Sequence, residues 1–415
     1  MKRKVLWPHA ITKLRLWLFS GITFCCLSAH AQMGQLFEAD KQMSSSFTNQ
    51  IYLDHDGFIW IATRNGLNRY DGYQFRILKK ETSQATGLAS NYVNAIMQDR
   101  HGLFYIGMYG ALQTYDGQEF QDVTTYDLDG HSQPHYITCL LERENGDILV
   151  GTSGHGLLLM KDKREAHQIG GVVADLQSVH RMLEDSKGYL WLATESQGLW
   201  CYDGKTVRRF FQGEKELSSV VDICEDRQGR IYIATTNAGM YVLDSWNLRH
   251  IDVTGNKHIS TLYANNDDQI MIGYDGLGLA IYDPKTGSLT DNPYYSRDVD
   301  LSTAKVYSIC EDHNGNTWLG LLQKGIYMHP AKTTGFNYMG YKLGSQNTIG
   351  SACITSVLTS KNGYLWIGTD KDGLYCLDGN RHVIRHFKDN FPSTILGMTE
   401  DHEGHVWIGL FEHFT

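Results

Sequence analysis

Residues 185–204, DSKGYLWLATESQGLWCYDG, read as turn, strand, turn, strand, turn. Asp185 suits the first position of a type I turn and Gly188 the fourth. Tyr189 to Thr194 is aromatic and aliphatic, as a buried strand is. A polar break holding Gly198 leads to a second strand, Leu199 to Tyr202, and Asp203-Gly204 is another hairpin signal. One such hairpin cannot bury both of its faces, so its partners must lie elsewhere in the chain.

They do. The turn glycine and the residue three further on recur as Gly57/Trp60, Gly102/Tyr105, Gly146/Leu149, Gly188/Trp191, Gly229/Tyr232, Asp268/Met271, Gly315/Trp318, Gly363/Trp366 and Gly404/Trp407. Successive spacings are 45, 44, 42, 41, 39, 47, 48 and 41 residues. The sixth copy is degenerate, with Asp268 in the glycine place, yet Ile272-Gly273 and Ile281-Tyr282-Asp283 keep its phase. Several strands repeating at this period predict an all-β fold, a β-propeller. Each blade has an inner strand such as 92–98 or 220–225, the D-x-x-G turn, the W-I-G-T strand, the G-L-x-x-Y-D strand, and an outer strand such as 118–123. Nine blades exceed the usual range. The reading is therefore one seven-bladed ring of four-stranded blades over residues 32–340, with 341–415 as the first blades of a second, truncated propeller. The long connection 329–351 is the expected seam.

Ahead of the repeats, Lys2, Arg3, Lys4, Lys13 and Arg15 precede an apolar run, Leu16 to Leu27, and Ala29-His30-Ala31 has the A-x-A cleavage pattern. Residues 1–31 are expected to be a secretory signal peptide. Its removal moves the formal charge from −9 to −14. That acidity argues against nucleic acid and anionic lipid as partners. No later stretch is apolar enough to span a membrane. Six cysteines follow the leader: Cys139, Cys201, Cys224, Cys310, Cys353 and Cys376. Cys224 and Cys310 hold one repeat position, Cys201 and Cys376 another. Equivalent positions in separate blades are too far apart for disulfide geometry, so these are expected to be small buried hydrophobes. No C-x-x-C metal pattern occurs.

The pattern I-x-x-D-x-x-G-x-[LI]-W-[IL]-[GA]-T-x-x-G-L-x-x-Y-D resembles the two-component regulator propeller repeat. Ile51 to Asp71, Ile96 to Asp116, Met182 to Asp203, Ile309 to Tyr327 and Val357 to Asp378 carry it, and Gly87 to Val93 resembles the family's S-L-S-S-N-x-V lead-in. The resemblance implies the periplasmic sensor region of a Bacteroidetes-type hybrid two-component sensor histidine kinase. Such proteins sense glycans, act as homodimers, and carry further domains that these residues lack: a second complete propeller, an immunoglobulin-like domain, a membrane helix, a kinase, a receiver and an AraC-type DNA-binding domain.

Residue patterns that suggest catalysis have repeat-based explanations. Glu184-Asp185, Glu225-Asp226, Glu311-Asp312 and Glu400-Asp401 recur at one turn position, whereas a catalytic carboxylate pair occurs once. His382 and His386 lie four apart on an expected strand, about 13 Å from end to end, not on a helix. Gly154-x-Gly156 and Gly276-x-Gly278 precede no helix and are hairpin glycines. Asp54-His55-Asp56-Gly57 lacks the later ligands of a calcium loop. No catalytic residue, metal ligand or cofactor is expected.

The break between the W-I-G-T and G-L strands is the expected reading surface, presented by every blade on one face together with the blade connections. Its candidate ligand contacts are Arg64, Asn65, Tyr109, His155, Glu195, Gln197, Asn237, Tyr274, Asp275, Lys324 and Asp370, with Met108, Ser153, Thr236, Gln323 and Lys371 beside them. Amides, charges and tyrosines suit a hydroxyl-rich ligand such as an oligosaccharide. The leading expectation is a glycan-sensing region. An exported interaction scaffold and a propeller-based lyase or hydrolase are the alternatives.

Overall fold

The computed structural model describes residues 34–39, 42–80, 87–211, 219–331, 339–341, 343, 348–388, 390 and 393–411. The expected leader, 1–31, and the terminal residues 412–415 lie outside the described residues. The fold is all-β, a propeller of antiparallel meanders. Among the described residues the only helical pieces are the single 3-10 turns Gly171–Val173 and Asp252–Thr254. No helix there is long and apolar enough to cross a membrane.

The stretch 185–204 forms as its residues dictate. Leu190–Thr194 is buried along its whole length and pairs with Val179–Glu184 on one side and Leu199–Tyr202 on the other; Val207–Phe210 closes the sheet. The same four-strand order recurs in every blade of residues 48–291. Two neighbouring sheets, 93–126 and 136–168, merge because the outer strand Phe120–Tyr126 pairs in parallel with Glu165–Gln168. The innermost strands pack side by side in chain order: Thr48–Leu53, Val93–Gln98, Tyr136–Glu142, Val179–Glu184, Val220–Glu225, Ile259–Ala264 and Val306–Glu311. The last of these packs against the first.

The sheet built on Val306–Glu311 has three consecutive strands, and its fourth comes from the other end of the chain. Gln35–Phe37 pairs antiparallel with Gly325–His329, in the register Gln35↔Met328, Leu36↔Tyr327 and Phe37↔Ile326. Gly325 is shaped for this: its φ is +93°, and a Cβ there would lie 2.2 Å from the Phe37 carbonyl oxygen. Beyond the seam, Ile354–Thr359, Leu365–Thr369, Leu374–Leu377 and Val383–Phe387 form another four-stranded sheet. Thr394–Glu400 pairs with Val406–Phe411 beside it.

Two devices join neighbouring blades. Every inner strand carries a β-bulge at one register position: Asn49, Asn94, Thr138, His180, Val221, Ser260, Tyr307, Thr355 and Leu396. Five of the bulged side chains donate to a carbonyl at the start of the next inner strand: Asn49 to Val93 (2.7 Å), Asn94 to Ile137 (2.9 Å), and Thr138, Ser260 and Thr355 to Val179, Val306 and Ile395. The second device explains the repeated acidic pairs. The glutamate of each acidic pair accepts a backbone N–H from the preceding blade's turn: Glu184 from Glu144, Glu225 from Ser186, Glu311 from Asn266 and Glu400 from Lys361. These carboxylates fasten blades together.

Candidate functional site

In five blades the hairpin after the W-I-G-T strand is built from a buried threonine and a glycine. Thr63, Thr152, Thr194, Thr235 and Thr369 each donate a hydroxyl hydrogen to the carbonyl of the hairpin glycine, at 2.6–2.9 Å. The next residue then pairs with the residue leading into the same blade's inner strand. Arg64 N–H donates to the Phe47 carbonyl, Tyr109 to Tyr92, Glu195 to Ser178, Asp275 to His258 and Asp370 to Cys353, at 2.9–3.4 Å. Hairpins and blade connections therefore share one face. The lead-in residues, absent from the sequence-based candidates, are half of that surface.

The face carries two clusters. In the first, the Arg64 guanidinium lies 4.8 Å from the Phe47 ring centre and 5.7 Å from that of Tyr92. Tyr92, Tyr109 and Tyr136 pack mutually, with ring centres 5.4–6.3 Å apart. Tyr109 is 64% exposed. Burial first, and then Tyr92, push the Tyr136 hydroxyl up to about 12, so it is a hydrogen-bond donor at neutral pH. In the second cluster, Asp275 meets Lys305 at 2.7 Å and His258 at 3.7 Å. The hydrogen bond from Lys305 to Asp275 raises the ammonium's pKa. Tyr307 lies between the clusters: burial raises its hydroxyl, while Asp275, Lys305 and Arg64 all act on it electrostatically.

The other candidates are distributed. Asn65 donates to the Ser44 carbonyl at 3.1 Å. Gln197 spends its whole amide on the blade connection, donating to Asp175 (2.8 Å) and accepting from Gln177 (2.9 Å). Glu195, Asn237 and Lys324 are exposed, each on its own blade. Asp370 accepts a hydrogen bond from Thr394. His155 packs edge-on against His135. Tyr274 corrects the expectation: it ends its strand at the place of the buried threonines, only 1% exposed, inside the core with Ala234, Met240 and Ile259. Met108, also buried, holds the same register position. The signal that could have found Tyr92, Tyr136 and Phe47 is an aromatic directly ahead of the inner-strand apolar pattern.

The remaining motifs resolve as structure. His386 stacks on Tyr375 and bonds the Asp372 carbonyl, whereas His382 faces Asp378, so the two do not converge. Asp54 spends its carboxylate on Asp56 N, Phe58 N and the Trp60 indole. Asp127, Asp129 and His131 bring ligand atoms within 4.8 Å of one another on a surface connection. The six cysteines are free thiols, and only Cys353 is exposed.

Fold and face together define a β-propeller with a polar and aromatic hairpin surface. The chain carries the two component regulator propeller repeat: that family matches residues 42–65, 175–196, 216–237 and 300–322, each running from a blade connection to the hairpin. No curated protein matches the chain. Among solved structures, the extracellular domain of a putative hybrid two component system from B. thetaiotaomicron is 21% identical, with a TM-score of 0.73, covering 91% of this chain and 52% of its own. The extracellular domain of a putative one component system from the same organism is 18% identical, with a TM-score of 0.54 and coverages of 92% and 51%. This chain thus spans about half the length of those domains. A catalytically inactive virginiamycin B lyase from Staphylococcus aureus, with quinupristin, is 12% identical, with a TM-score of 0.56 and coverages of 71% and 98%. At these identities the likeness is one of fold.

Proposed function

We propose that this chain is the periplasmic, ligand-sensing region of a two-component sensor, and that its ligand is hydroxyl-rich, a glycan or oligosaccharide. The observation that carries this reading is the Arg64–Phe47–Tyr92–Tyr109–Tyr136 cluster. It offers mutually inclined aromatic rings, one exposed tyrosine, the Tyr136 hydroxyl as a donor and a cation held over rings. Aromatic faces with convergent polar groups suit the alternating apolar and hydroxyl surface of sugars. The likeness to extracellular domains of two-component systems supports the sensor reading. Binding rather than catalysis is proposed, with the signal passed on by a homodimer of the intact sensor. Residues 32–340 are proposed as one propeller closed by Gln35–Phe37, and 341–415 as part of a second.

The test is calorimetric titration of residues 32–415 with a panel of host and dietary oligosaccharides. Saturable binding to one glycan class is expected. Arg64→Ala and Tyr109→Ala should each weaken it by about tenfold, equivalent to about 1.4 kcal/mol, with unchanged melting temperature. No binding by a folded sample, or binding indifferent to both substitutions, overturns the assignment of the site.

A further inference from the structure

We propose that His135 and His155 form a two-imidazole site for a divalent transition-metal cation of zinc type, at the hairpin end of the blade built on Tyr136–Glu142. The argument begins with the tautomer of His135. Its Nδ1 lies 2.9 Å from Thr125 Oγ1. The Thr125 hydroxyl hydrogen is already donated to the Gln133 carbonyl. Thr125 Oγ1 must therefore accept from His135, which fixes the proton on Nδ1 and leaves a bare lone pair on Nε2. His135 is 1% exposed, and its Nε2 has no hydrogen-bond partner. On the neighbouring ring, Nδ1 of His155 is likewise buried and unpartnered. Two such nitrogens on packed rings are costly unless something binds them, because a buried polar atom left unpaired forfeits its hydration without recovering a partner.

The spacing admits a metal occupant. The ring centres are 4.6 Å apart and the planes cross at 85°. Two imidazoles on one zinc, with bonds of about 2 Å and an angle of about 90–110°, have ring centres about 4.5–5 Å apart. A donor pair of neutral imidazoles suits zinc, copper or nickel ahead of magnesium or calcium. The hydrogen bond from Nδ1 to Thr125 is the outer contact that orients a metal-binding histidine. Both backbones are pinned: His155 N–H donates to Thr152 Oγ1 at 3.2 Å, and the His135 carbonyl accepts from Gly110 at 3.1 Å. The two rings supply two of the four positions of a tetrahedral site. This inference stands apart from the glycan reading.

The experiment is titration of residues 32–415 with Zn²⁺ in a non-chelating buffer at about pH 7.5, followed by electron paramagnetic resonance of the Cu²⁺-loaded protein. Uptake of one equivalent is expected, with nitrogen hyperfine coupling from two imidazoles. His155→Ala, at a half-exposed position, should weaken uptake at least tenfold and remove one nitrogen from the spectrum. His135→Gln, checked by thermal melting, should do the same. His131→Ala should change neither. The proposal is overturned by absence of uptake, the result expected if a water molecule bridges the nitrogens. It is also overturned if uptake ignores His155→Ala, or if His131→Ala abolishes it and so assigns the metal to the exposed Asp127–His131 connection.

Discussion

A single carboxylate organises the turn wherever the repeat supplies an aspartate. Asp185 accepts from Lys187 N and Tyr189 N with one oxygen, and from the Trp191 indole at 2.8 Å with the other. Asp54, Asp312 and Asp401 do the same for Trp60, Trp318 and Trp407. Asp185→Asn would aim an NH₂ at the indole N–H or leave one turn donor unpaired, and should cost about 1–3 kcal/mol; the denaturant midpoint measures it. Departures from the repeat are compensated or exposed at this same scale. In the sixth copy Asn265 replaces the aspartate and Met271, which needs no acceptor, replaces tryptophan. Asp268 takes the left-handed conformation of the missing glycine, at φ +62°, and accepts from Arg227 N as the glutamates of other blades do. In the eighth copy Ser360 stands in the aspartate place, and the Trp366 indole nitrogen is buried without a partner. Histidine burial sets the acid response. His329, stacked on Tyr294 at 3.9 Å, has its pKa lowered by burial to about 4. The unfolded chain takes up that proton near the ordinary value of about 6.5, so stability is lost as pH falls from about 6.5 through about 4. Melting temperature against pH should flatten across that window in His329→Gln. A residual slope should remain from His135 and His180, whose burial acts in the same direction.

At the scale of elements, one three-residue strand joins the two ends of the ring. Phe37 is buried against Trp318, with ring centres 5.8 Å apart and nearly parallel planes, and touches Tyr70 and Phe75 at 5.3 and 5.4 Å. It therefore bridges the first blade and the last. Phe37→Ala should cost about 3–5 kcal/mol, as large-to-small core changes do, and thermal melting checks it. A loss no greater than for an exposed aromatic such as Tyr73 would mean that Gln35–Phe37 does not hold the ring. The strand order within blades was legible from Asp185–Gly204, because turn chemistry and apolar runs are local. The closing strand was not: Gln-Leu-Phe is too short to announce itself, and its partner lies about 290 residues away. The inner-strand bulges were equally hidden, since a bulge shows only against a partner's register.

For the whole molecule, burial differs between the two proposed propellers. Inner strands of residues 48–311 have buried and half-buried positions throughout, whereas Ile354–Thr359 has four exposed positions of six, and Val406–Phe411, the counterpart of the wholly buried Leu190–Thr194, has three of six. Val357, Leu396 and Trp407 are 59%, 59% and 64% exposed. Open apolar strand faces of this kind favour association. Removing residues from about 345 onward should raise the soluble yield of the chain. An unchanged or lower yield would count against separate propellers.

Period, turn chemistry and apolar runs, all local properties, determined the propeller fold, the strand order within a blade and the face that bears the hairpins. Tertiary structure alone decided which residues meet on that face. It set Arg64 over Phe47 and Tyr92, buried Tyr274, paired Asp275 with Lys305 and brought His135 against His155. The physical reason is that the repeat fixes each blade by near-neighbour bonds, while a site on the face draws residues from the hairpins and lead-ins of adjacent blades, whose side-chain identities vary from copy to copy and are not set by the repeat.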